Sequence, residues 1–80
     1  MTRDQARGVL ESALLRIVPD ADVGSIGADD DLRETLELDS LDFLSLVETL
    51  SRDTGVRLDE DDYSRLTTLR STVDLLTSRG

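Results

Sequence analysis

The sequence predicts an all-α fold: three longer helices, a short third helix between the last two, and a long first loop. Three observations carry this. Apolar residues recur at helical spacing in separate stretches, which marks amphipathic helices. Helix-start residues stand before those stretches: Thr2, then Asp39 or Ser40, then Thr68. Between the first two stretches lies a run holding Pro19, Gly24, Gly27 and the acidic triplet Asp29-Asp30-Asp31, the composition of a connection. Eighty residues without an internal repeat or a linker predict one domain, residues 1–80.

Thr2-Arg3-Asp4-Gln5 has the form of a capping box and opens a helix over about residues 3–17. Ala6, Val9, Leu10, Ala13, Leu14, Ile17 and Val18 form its apolar stripe. Pro19 ends it, because the residue before a proline avoids the helical region. The connection over 19–38 is long for a compact domain, but Val23, Ile26, Leu32, Leu36 and Leu38 can pin it to a core, with a short helical turn near Asp31–Leu36. A second long helix is expected from Ser40 to Arg52 or Asp53, stopping before Gly55. Its expected inward stripe is Leu41, Leu44, Val47 and Leu50, flanked by Phe43 and Leu46. Gly55-Val56-Arg57-Leu58 reads as an extended link that places Val56 and Leu58 in the core. Asp59-Glu60-Asp61-Asp62 puts negative charge where a helix start favours it, and Tyr63 and Leu66 give the short helix, 60–65, one buried face. The last helix follows Thr68, buries Leu69, Val73 and Leu76 with Thr72 and Leu75 beside them, and ends near Thr77 or Ser78 with Arg79 at its negative end.

Missing residue types exclude much chemistry. Cysteine, histidine and lysine are all absent. That removes disulfides, Ser-His-Asp and Cys-His arrangements, Schiff bases, Ser-Lys pairs and a phosphate-binding Walker lysine. Zinc sites need cysteine or histidine in nearly every known pattern. The acidic runs at 20–24 and 29–31 do not fit the ligand order of an EF-hand loop, so no metal site is expected. Carboxylates remain, but paired acid–base carboxylates need a cleft that so small a domain has little volume to enclose. No catalytic residue is expected.

The net charge is −9, and it is lopsided. Residues 20–62 hold fifteen carboxylates against three arginines, while the remainder is net positive. Such a middle repels nucleic acid and anionic lipid and attracts basic protein surfaces. No apolar run reaches the length of a membrane span, and Met1-Thr2-Arg3-Asp4 does not lead into a signal-peptide core. Absence of cysteine is compatible with the cytoplasm, which is the expected location.

The stretch Glu37-Leu38-Asp39-Ser40-Leu41-Asp42-Phe43-Leu44-Ser45-Leu46-Val47-Glu48 joins a loop to an acidic amphipathic helix, with a serine at the junction. A helix start presents unbonded N–H groups and partial positive charge, a good place to hold a phosphate. By itself a serine there is most simply a helix cap. Asp39-Ser40-Leu41, with Asp42, Val47 and Glu48 following, resembles the Asp-Ser-Leu motif of the acyl carrier protein family, and the likeness extends over residues 3–78 through length, acidity, helix order and the Leu66-Thr67-Thr68-Leu69 join. The Arg33-Glu34-Thr35 portion departs from the family's commonest compact loop.

The resemblance implies a four-helix bundle of acyl-carrier type and a non-catalytic carrier. It implies that Ser40 bears 4′-phosphopantetheine, delivered from coenzyme A by a phosphopantetheinyl transferase. The thiol of that arm would hold acyl intermediates of fatty-acid, polyketide or related synthesis. It implies docking of acyltransferases or acyl ligases, ketosynthases and other biosynthetic enzymes with basic patches on Asp39, Leu41, Asp42 and Glu48 of a monomer, and it leaves Phe43 and Leu46 as either core or the entrance of an acyl cavity. A peptidyl or aminoacyl carrier, including a D-alanyl type, is the alternative; glycines usual before the serine in peptidyl carriers are replaced here by Glu37-Leu38-Asp39. An unmodified helical interaction module and a small hydrolase are the readings from other classes.

Overall fold

The computed structural model describes residues 1–79. Four α-helices run in the order α1 (Arg3–Ile17), α2 (Leu32–Thr35), α3 (Ser40–Thr54) and α4 (Leu69–Arg79). Two 3-10 segments, Val23–Ser25 and Glu60–Leu66, lie between them. α1 packs against both α3 and α4, and α4 packs against the second 3-10 segment. This is the expected all-α arrangement, with two differences in kind. The short third helix is 3-10 rather than α, and the long loop carries a 3-10 turn at Val23–Ser25 for which the sequence had no clear periodic signal.

Local sequence explains the boundaries. Thr2 accepts from the Gln5 N–H at 3.1 Å and the Gln5 side chain accepts from the Thr2 N–H at 2.9 Å, the reciprocal box that satisfies two otherwise unbonded donors. α1 stops at Ile17, and the Val18 N–H makes a last bond to the Leu14 carbonyl before Pro19. α3 ends on Gly55, whose φ of 71° is the left-handed region where a Cβ would be unfavourable. At the start of α4, the Thr68 hydroxyl accepts from the Ser71 N–H at 3.1 Å and the Ser71 hydroxyl accepts from the Thr68 N–H at 3.2 Å.

The core gathers Ala6, Leu10, Ala13 and Leu14 of α1, Leu69, Val73, Leu75 and Leu76 of α4, and Ile26, Leu32 and Leu38 of the connection. Val9, Ile17, Val18, Leu36, Leu58 and Tyr63 are partly buried against it, and Val56 is buried. The connection is pinned twice more. The Leu32 N–H donates to the Thr67 carbonyl at 2.8 Å and the Arg70 N–H to the Ala28 carbonyl at 2.9 Å, with an isolated antiparallel bridge between Asp31 and Thr68.

The face of α3 differs from the expectation. Val47 and Leu50 are buried, but Leu41 is 75% exposed and Leu44 41% exposed, while Phe43 and Leu46 are buried. The reason is angular. Leu41, Leu44, Val47 and Leu50 form a strict i+3 series, and at about 100° per residue its first and last members point to opposite sides of the helix. Phe43, Leu46, Val47 and Leu50 stand at i, i+3, i+4 and i+7, which keeps them on one side. The inward stripe is the second set.

Arg79 also has a different partner from the one expected. Its guanidinium forms two parallel bonds to the Asp62 carboxylate, each 2.6 Å, rather than serving only the negative end of α4. It adds a 3.3 Å bond to the Arg57 carbonyl, so one side chain ties α4 to the link and to the 3-10 segment.

Candidate functional site

The start of α3 is set by the turn before it. α2 closes through a bond from the Leu38 N–H to the Arg33 carbonyl at 2.8 Å and one from the Glu37 N–H to the Glu34 carbonyl at 3.3 Å. Between them Glu37 has φ 54°, the left-handed step of a Schellman closure, where glycine is the usual residue. The step turns the chain so that Leu38 enters the core and Asp39 meets solvent.

Asp39 is extended, with φ −85° and ψ −176°, and caps α3. Its Oδ1 accepts from the Asp42 N–H at 2.8 Å, and Asp42 Oδ2 reaches back to the Asp39 N–H at 3.5 Å. Of the two capping candidates, Asp39 fills the role. Ser40 is therefore the first residue of α3 rather than its cap. It is exposed, and its hydroxyl has no hydrogen bond among the described residues.

Asp39, Ser40, Leu41 and Asp42 share this first turn. Leu41, Leu44 and Glu48 follow at i, i+3 and i+7 along one exposed strip. The structure thus brings the expected docking residues onto one connected surface and adds Leu44 to it. The isolated apolar side chains there are open to solvent because the core stripe lies elsewhere on the helix.

Beside Ser40 runs a groove of about 500 Å³, lined by Asp31, Arg33, Phe43, Leu44, Tyr63, Ser64 and Thr67 as well as Ser40. The rings of Phe43 and Tyr63 meet edge to face, with centroids 5.4 Å apart and planes at 85°. The Arg33 guanidinium lies over the Phe43 ring, 5.0 Å from its centroid, within cation–π range. Sequence reasoning missed Arg33 as a site residue, because its proximity to α3 depends on the path of the loop. It also missed the pairing of Asp62 with Arg79. The Asp-x-x-Asp spacing at 59–62 repeats that at 39–42 and could have suggested the cap, but nothing local points to a partner on the next helix. Asp62 is nearly enclosed, with its side chain 8% exposed. Hydrogen bonds from Arg79 first, then from the Asp59 N–H, hold its pKa down at about 2 against the opposing effect of burial.

Among the described residues no cluster of three or more acidic side chains is placed to hold a metal ion. Among the described residues no helix is long and apolar enough to cross a membrane. What the arrangement offers is an accessible hydroxyl at a helix start, beside a groove, with no side chain hydrogen-bonded to it among the described residues.

Residues 8–76 match the family model described as the phosphopantetheine attachment site. The chain belongs to the acyl carrier protein family. A relative in Streptomyces avermitilis, polyketide-8 synthase acyl carrier protein 2, is 39% identical over 66 residues, spanning 82% of this chain and 76% of the relative. Among solved structures, the acyl carrier protein of Enterococcus faecalis superposes with a TM-score of 0.78 at 22% identity, covering all of both chains, a likeness of fold. Acyl carrier proteins hold a 4′-phosphopantetheine group and are not themselves catalysts, so this chain's role is that of a phosphopantetheine carrier.

Proposed function

We propose that Ser40 is the attachment residue, and that residues 1–80 act as a monomeric acyl carrier domain of cytoplasmic polyketide-type synthesis. The observation that carries the attachment is the Ser40 hydroxyl itself: exposed, unbonded and first in α3, because Asp39 has taken over the capping. The polyketide assignment draws on the name of the Streptomyces relative.

The chain supplies a nucleophile, and no carboxylate is hydrogen-bonded to it among the described residues. Attachment forms a bond from Ser40 Oγ to the phosphorus nearest the pantetheine of coenzyme A and breaks the pyrophosphate link, releasing adenosine 3′,5′-bisphosphate. The proton from Oγ must go to a base on the phosphopantetheinyl transferase, which works with magnesium. The arm supplies a terminal thiol that holds acyl groups as thioesters. Around it, exposed Asp39, Leu41 and Glu48 and half-buried Asp42 present carboxylates and an apolar contact to acyltransferases, ketosynthases and similar partners with basic patches. Exposed charge pairs of this kind speed encounter more than they strengthen binding, which suits a carrier that must leave each enzyme after one step.

Incubation with coenzyme A, magnesium and a broad transferase tests the attachment by intact mass. One phosphopantetheine should be gained by the wild type and by Ser45→Ala, and none by Ser40→Ala. A gain that survives Ser40→Ala, or no gain in the folded wild type with a transferase active on a control carrier, overturns the reading.

A further inference from the structure

Adding a phosphodiester to Ser40 places a negative charge beside carboxylates. Asp39 and Asp42 share the same helix turn, and Asp39 already accepts from the Asp42 N–H, one of the donors that an anion at this helix start would use. The chain as a whole is at −9. The start of α3 therefore needs a cation more than its helix dipole alone suggests.

Arg33 is placed to be that cation. Seven of the nine arginines reach a carboxylate within ion-pair distance; among the described residues Arg33 and Arg65 do not. Asp31, the acidic residue lining the same groove, is occupied in capping α2, accepting from the Glu34 N–H at 3.0 Å. The Arg33 guanidinium is held by its stack on Phe43, which Tyr63 braces from another side. Its backbone is held as well, because the Arg33 carbonyl accepts the Leu38 N–H that closes the turn before Ser40. A stacked, planar fork loses less freedom on pairing with an oxyanion than a mobile side chain does. Arg33 and Ser40 line one groove.

From this arrangement we propose that Arg33 is a positioning residue for the arm: it pairs with the phosphodiester at Ser40 and directs the proximal part of the arm into the groove bounded by Phe43, Tyr63, Ser64 and Thr67. The inference rests on Ser40 being the attachment residue. It assigns a function to the loop segment that departs from the family's common form.

Nuclear magnetic resonance of the apo and holo forms tests it without any enzyme assay. The Arg33 Nε–H resonance should move on attachment, while that of Arg16, paired with Asp53 at the far end of α3, should stay. The phosphorus resonance of the holo form should shift in Arg33→Gln and return part of the way in Arg33→Lys. The difference between wild type and Arg33→Gln should shrink as salt rises. The wild-type apo–holo comparison needs no variant, so a folding defect in Arg33→Gln does not blunt the test. An Arg33 Nε–H that is the same in both forms, or that moves only when a carboxylate-bearing acyl group is loaded, overturns the pairing with the phosphodiester. Mass spectrometry of the same sample separates the two failures. If the arm is on Ser40 and Arg33 does not respond, this inference alone is wrong; if Ser40 carries no arm, both are.

Discussion

Two segments of this molecule begin with the same four-residue pattern and use it differently. At α3, Asp39 and Asp42 flank Ser40 and Leu41; at the second 3-10 segment, Asp59 and Asp62 flank Glu60 and Asp61. In both, the second aspartate reaches back to the N–H of the first, at 3.5 Å in α3 and 2.9 Å in the 3-10 segment. There the likeness ends. Asp62 is enclosed and doubly bonded to Arg79 in the seam with α4, two segments that also bury Leu66, Leu75 and Leu76 in the core. Asp42 has no cationic partner among the described residues, and the apolar neighbours on its rim, Leu41 and Leu44, face water. The seam satisfies its charges and apolar groups internally, whereas the rim leaves Leu41 and Leu44 in water and Asp42 without a cation among the described residues. Identical local chemistry is structural in one place and available in the other, and packing against a neighbouring helix decides which.

The sharpest way to break this contrast is to cut equal side chains from each region. Leu76→Ala, fully buried in the seam, should cost about 2–5 kcal/mol, because the lost contacts leave a cavity. Leu44→Ala on the rim should cost less than about 1 kcal/mol. Chemical denaturation measures both, and equal losses would erase the distinction. The acid limb of stability comes next. A folded pKa near 2 for Asp62 means the unfolded chain takes up that proton first, so this contribution is complete above about pH 4 and disappears as pH falls toward 2. Asp62→Asn should lower the thermal midpoint at neutral pH and flatten the fall below pH 4.

Charge reversal on the rim should act on partners instead of on the fold. Asp42→Arg and Glu48→Arg should lower kcat/KM of a docking enzyme at low salt, with the gap narrowing as salt rises and the circular dichroism unchanged. Unchanged kinetics across several partners would remove these side chains from the interface. The smallest effect is expected at the turn leading to the rim. Glu37→Gly relieves a left-handed non-glycine residue but adds freedom to the unfolded chain, so a gain of up to about 1 kcal/mol is the expected net. A loss there would mean that the glutamate side chain contributes something the backbone does not reveal.

Much of the helix content was legible because its signals are local. The Thr2/Gln5 box, Pro19 and Gly55 each act within a turn of themselves, and the helix limits fall where they indicate. The face of α3 was misread because apolar residues occur on both sides of it, and spacing by threes drifts around a helix that repeats every 3.6 residues. Counting inward positions from Leu41 puts Phe43 and Leu46 at the edge of the stripe; counting from Phe43 puts both inside it. Ser40 stood out through its neighbours and its motif. Arg33 and the Asp62–Arg79 pair did not, since their partners are ten and seventeen residues away in sequence, and no periodicity carries information across a loop.

The closure at Glu37 has a consequence for spacing. Leu38 is anchored in the interior and Ser40 lies two positions later, with Asp39 between them as the pivot. Inserting or deleting one residue there would swing the Ser40 hydroxyl by about 100° about the axis of α3, away from the groove and from Arg33. Its bearing is indexed to the interior like a mark on a dial. Natural variation in length should therefore avoid the three positions from Leu38 to Ser40.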